Sequence, residues 1–175
     1  MIRGHCILSH GFESGPDATK VAALAQVAEA AGWSCERPDY TDLDGMREVS
    51  ELGDVGARLA RLKQLAAAAA ARGPLLLAGS SLGAYVSAQV ALQVPVVGLF
   101  LMAPPVALGR LPALDAPQVP VSVVHGWDDE LIPARAVVEW AQARRAQLLL
   151  VNDGHRLAAH IETTAQAFAQ LLAAL

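Results

Sequence analysis

Six short strand-like runs, separated by loops or by longer stretches of helical periodicity, constrain this chain more than any other feature. They cover residues 2–8 (IRGHCIL), 33–40 (WSCERPDY), 74–80 (PLLLAGS), 96–102 (VVGLFLM), 119–125 and 147–152. PLLLAGS and VVGLFLM are apolar or small at nearly every position, as strands covered on both faces must be. The helical stretches are 17–32, closing at Gly32; 54–73, ending at Gly73-Pro74; 82–93; 133–145; and a last one from about 157. Residues 41–53 and the proline-punctuated 103–118 read as loops. Apolar strands joined by helical crossovers give a parallel sheet, so the expected fold is α/β: a six-stranded parallel sheet with helices on both faces. With 175 residues the chain is expected to form one domain, 1–175.

Composition narrows the function classes. The chain is 54% apolar and 17% charged, which is core-rich and globular, and its net charge is −4. The nearest approaches to a basic cluster are Arg58, Arg61 and Lys63 on one predicted helix and Arg144-Arg145 on another, so no nucleic-acid partner is expected. No apolar stretch reaches membrane-spanning length, and the apolar run after Arg3 and His5 is too short for a secretion signal. The expectation is a soluble, cytoplasmic protein with no membrane partner. Cys6 and Cys35 fall in separate predicted strands and read as small buried thiols. Neither a metal-ligand spacing nor a G-x-G-x-x-G loop occurs, so no metal and no cofactor is expected, and nothing in the sequence specifies an oligomeric state.

In parallel sheets the chemistry gathers at the carboxyl ends of the strands. At the end of the third run, Gly79, Ser81 and Gly83 form G-x-S-x-G between an apolar strand and a helix. A strand turning that sharply into a helix holds the central serine in a strained conformation and leaves no room for side chains two residues away. A plain Gly/Ser turn would also produce the pattern, so the reading of Ser81 as a nucleophile needs a base and a carboxylate.

Both occur later in the chain. "SVVHGWDDELIP" (122–133) breaks at Gly126 and offers Asp128 and Asp129; "LLLVNDGHRL" (148–157) ends in a loop carrying His155, 26 residues after Asp129. His155 is the preferred base and Asp129 the preferred acid; Asp128 suits a turn or cap, and Asp153 is too near His155 in sequence. His5 and His160 read as structural, and His125 as a weaker base because Asp128 and Asp129 lie so soon after it in the chain. An oxyanion needs two donors. The Leu82 amide, at the start of the helix, is one; the first strand's loop, "LSHGFESG" (8–15), supplies the other at Phe12.

"SHGF", "GSSLG", "HGWDDELIP" and "DGH", in this order, resemble the α/β-hydrolase superfamily, in particular the small lidless bacterial esterases of the YqiA-like kind. The resemblance spans residues 9 to 155 and matches Ser81 to the nucleophile, Asp129 to the acid, His155 to the base, and Phe12 and Leu82 to the oxyanion positions. It implies a minimal α/β-hydrolase fold with no lid domain, because the 103–118 loop stands where larger members carry one. The implied activity is hydrolysis of small or accessible carboxylic esters through a Ser-His-Asp triad and an acyl-enzyme. Thioesters, amides and a silent triad on a binding protein stay open as alternatives. Glu13, beside the oxyanion loop, is expected to disfavour acidic substrates.

Overall fold

Period-two alternation along the strands divides the interior into two layers. The computed structural model describes residues 2–175. Its strands are β1 (Gly4–Ser9), β2 (Trp33–Glu36), β3 (Leu75–Ser80), β4 (Gly98–Met102), β5 (Val121–Gly126) and β6 (Gln147–Val151), all parallel, in the order β2-β1-β3-β4-β5-β6. Ile7, Leu77, Leu99, Leu101 and Val123 point to one face, while Leu8, Leu76, Phe100, Met102 and Val124 point to the other. β3, at the centre, is buried along its whole length.

Each face needs a helical cover. The first is packed by α3 (Val55–Ala70), α4 (Leu82–Ala91) and α5 (Ala134–Arg144) through residues such as Leu62, Tyr85 and Val137. The second is packed by α1 (Thr19–Ala30) and α6 (Ile161–Ala174) through Val21, Leu24, Phe168 and Leu172. The Phe100 and Phe168 rings meet at 5.0 Å in a tilted pair, which ties the sheet to the last helix.

Three elements depart from their sequence reading. The stretch 33–40 is strand only as far as Glu36, because Pro38 has no amide for the ladder. Residues 41–53 contain a short helix, α2 (Thr41–Asp44), entered where Asp39 accepts both the amide and the hydroxyl of Thr41. The last helix begins at Ile161 after a 3₁₀ turn, Ala158–His160, held by Asp153, whose carboxylate accepts the Ala159 amide and the His160 ring.

No lid domain stands between β4 and β5. The 103–118 segment lies flat on α4 and α5 instead: Tyr85 donates to the Pro112 carbonyl, Gln89 to that of Ala113 and Trp140 to that of Leu114. Leu114 and Ala116 are buried in the first layer. The chain leaves β1 for β2 on one side and returns to β3 on the other, so the strand order reverses between β1 and β3. Their carboxyl ends border a crevice, the position where such sheets bind ligands.

Candidate active site

Ser81 sits at the junction of β3 and α4 with φ 54° and ψ −118°, a conformation that costs a non-glycine residue roughly 1–3 kcal/mol. Its surroundings hold it there. The Ser81 amide donates to the Met102 carbonyl at 2.8 Å, and its carbonyl accepts the amides of Ala84 and Tyr85 as the first bonds of α4. A Cβ at Gly79 would lie 2.3 Å from the Gly83 backbone, and one at Gly83 would lie 2.2 Å from the Ser9 carbonyl oxygen. Both glycines are therefore required by contact, as the motif predicts.

The β5 and β6 loops bring the other two residues to the same rim. His155 Nε2 lies 2.9 Å from Ser81 Oγ, and Nδ1 lies 2.8 Å from Asp129 Oδ2. The remaining oxygen of Asp129, Oδ1, accepts the amides of Leu131 and Ile132 at 2.9 and 2.8 Å, which fixes the carboxylate. The Asp129 side chain is fully buried while Ser81 is partly open to solvent. Asp128 is exposed and contributes only its amide, donated to the Asp153 carbonyl. The loops are locked together at Gly126, where a Cβ would lie 2.2 Å from the Asp153 carbonyl oxygen. Leu82 and Phe12 present backbone amides with no acceptor among the described residues. Gly11 brings the Phe12 loop against the serine, since a Cβ on it would lie 3.6 Å from the Ser81 Cβ.

The family model for an alpha/beta hydrolase domain matches residues 3–174. The chain belongs to the alpha/beta hydrolases. An alpha/beta-superfamily protein from Xanthomonas campestris pv. campestris is 64% identical over 99% of this hydrolase and 100% of its own chain, with a TM-score of 0.98. The same fold occurs in a lidless serine hydrolase from Xanthomonas campestris, with 19% identity, coverage of 97% and 81%, and a TM-score of 0.73. It occurs again in an esterase from Pyrococcus furiosus, with 15% identity, coverage of 99% and 82%, and a TM-score of 0.79. No curated protein matches this hydrolase in sequence.

Several groups around the site were not legible as part of it. Arg58, grouped in sequence with surface basic residues, is fully buried; it pairs with buried Asp44 and its guanidinium lies 4.6 Å from the Tyr40 ring centre. Its signal was its place on the buried stripe of α3, between Val55 and Leu62. His10 is buried, donates from Nδ1 to the Gly11 carbonyl and accepts the Tyr40 amide at Nε2. His125 is buried behind Asp129, with Nε2 2.9 Å from the Ile132 carbonyl oxygen. Burial lowers the pKa of both histidines below the ordinary value, and it raises the Tyr40 phenol to about 12.

Glu13 is not an isolated charge. Its carboxylate meets Arg47 at 3.0 Å, and that guanidinium lies over the Phe12 ring at 4.8 Å, so the expected acidic field is compensated. Cys6 and Cys35 are register partners on β1 and β2, remote from the serine, and both are free thiols.

Proposed function

We propose that this hydrolase is a serine esterase that cleaves small or accessible carboxylic esters through Ser81, His155 and Asp129. The observation that carries the reading is the single imidazole bridging a strained serine and a buried carboxylate, with one ring nitrogen on each. With Nδ1–H donated to Asp129, the proton-free Nε2 faces the hydroxyl. His155 takes the Ser81 proton as Oγ attacks the ester carbonyl, and the resulting imidazolium is stabilised by Asp129. The negative oxygen of the tetrahedral intermediate is received by the amides of Leu82 and Phe12, the former also at the positive end of α4. The imidazolium then protonates the departing alcohol, leaving an acyl-Ser81. A water deprotonated by His155 repeats the attack and releases the acid.

The uncovered rim favours short acyl groups, because no lid supplies apolar surface for a long chain. The test is hydrolysis of acetyl, butyryl and palmitoyl esters by the wild type and by the folded variants Ser81→Ala, His155→Ala, Asp129→Asn and Asp128→Asn. The first three substitutions are expected to abolish turnover and the fourth to spare it, with short chains preferred. Full turnover by Ser81→Ala refutes the reading.

A further inference from the structure

Phe12 is gripped from behind by a buried ion pair. The Gly11 carbonyl, which shares a peptide plane with the Phe12 amide, accepts Arg58 Nη2 at 3.1 Å and His10 Nδ1 at 2.7 Å. The preceding carbonyl, of His10, accepts Arg58 Nη1 at 3.0 Å. On the other side of Phe12, the Glu13 amide donates to Asp44 Oδ2 at 3.0 Å. Asp44 completes the set by receiving Nε and Nη2 of Arg58 at 2.8 and 2.7 Å. The pair therefore holds both peptide planes that flank Phe12.

We propose that Arg58 and Asp44 are positioning residues for the oxyanion site, aiming the Phe12 amide at the carbonyl oxygen of the substrate. This rests on the serine-esterase reading above. In a planar trans peptide the N–H points opposite to the C=O. With the Gly11 carbonyl tied to the guanidinium, the Phe12 N–H is turned away from Arg58. A charged donor on that carbonyl also polarises the peptide and makes its N–H a stronger donor. Stability alone does not account for the pair, because well-packed apolar residues of the same shape serve a core equally well. Lysine would keep the charge and lose the fork that reaches two carbonyls and a carboxylate at once.

The experiment compares wild type, Arg58→Lys and the shape-matched double variant Arg58→Met/Asp44→Leu, with Ser81→Ala as control. The measurements are kcat and KM on a butyryl ester, the pH profile of kcat/KM, and the amide resonance of Phe12 before and after phosphonylation of Ser81. For each folded variant kcat is expected to fall by about 10- to 1000-fold, the range for impairing or losing one oxyanion donor. KM is expected to stay within about twofold, and the acidic limb of the pH profile to stay in place because His155 and Asp129 are untouched. In the Ser81 adduct of each variant the Phe12 amide proton is expected upfield of its position in the wild-type adduct, where a well-aimed hydrogen bond to the phosphonyl oxygen moves it downfield. If Arg58→Lys does not fold, the double variant decides. A folded variant with wild-type kcat and an unmoved Phe12 amide overturns the proposal, as does a loss expressed only as a lower unfolding midpoint. Turnover surviving in Ser81→Ala sinks the esterase reading instead, and the Phe12 resonance in unmodified Arg58→Lys then judges the clamp by itself.

Discussion

The sheet carries a serine–histidine contact at each end, and the two are built differently. At the carboxyl end Ser81 meets His155 at 2.9 Å; at the amino end Ser34 meets His5 at 2.8 Å, beside a cavity of ≈430 Å³ that Arg3 and Arg72 also line. A carboxylate stands behind each imidazole: Asp129 at 2.8 Å from His155, but Glu36 only at 3.7 Å from His5, beyond hydrogen-bond reach. The hydroxyls differ more. Ser34 lies on the regular strand β2 and gives its proton to the Gly4 carbonyl, whereas Ser81 is held at φ 54° beside two amides without acceptors. Neither a short serine–histidine distance nor a hollow makes an active site. The proposed esterase reading rests instead on a strained serine, a buried and tightly held carboxylate and two amides without acceptors among the described residues, all in one place.

Substitution at the two ends gives the sharpest contrast. Ser81→Ala and His155→Ala are expected to lower kcat on a butyryl ester by about 10⁴- to 10⁶-fold, while Ser34→Ala stays within about twofold of wild type. Steady-state rates on purified, folded variants check this, and comparable losses at both ends would erase the distinction. Asp129→Asn comes next, at about 10⁴-fold, because an amide donates where the carboxylate accepted and turns the imidazole to the wrong tautomer. Glu36→Gln is expected to be silent in the same assay.

Smaller effects appear in stability. Gly83→Ala drives a methyl into the Ser9 carbonyl and is expected to destabilise the fold by about 1–3 kcal/mol or more in urea titrations, with a matching loss of activity. Gly73→Ala, at the amino end, meets no atom within 4 Å, so its cost is the backbone strain of a φ of +158° alone. The smallest effect is on pH dependence. His10 and His125, both near the carboxyl end, are buried with pKa values lowered from 6.5 by burial. Unfolding lets them take up protons, so their contribution to stability is intact above pH 6.5 and shrinks as pH falls from there toward the folded values. Urea midpoints at pH 7.5 and 5 are expected to drop on acidification, and His125→Gln to reduce that drop.

The serine, the carboxylate and the imidazole were legible because backbone requirements mark them in the chain: glycines two residues either side of Ser81, a strand broken at Gly126 before Asp129, and Gly154 before His155. Phe12 was singled out for a similar reason, the glycine before it letting the first strand's loop come against the serine. Arg58 was not, since its charge suggested a surface while its helical register placed it inside, where Asp44 and the carbonyls of His10 and Gly11 satisfy its guanidinium. α2 was hidden likewise. Four residues have no periodicity to read, and the helix exists through contacts with Asp39, Arg58 and Arg61 that come from distant or unpatterned positions.

The central claim is that His155 makes Ser81 a nucleophile. Intact-protein mass after treatment with a fluorophosphonate ester tests it without knowledge of the natural substrate. One adduct, mapped to Ser81, is predicted for the wild type, with none on Ser81→Ala and labelling slowed at least about 100-fold in His155→Ala. A folded wild-type protein that takes no label, or one labelled equally fast without His155, contradicts it.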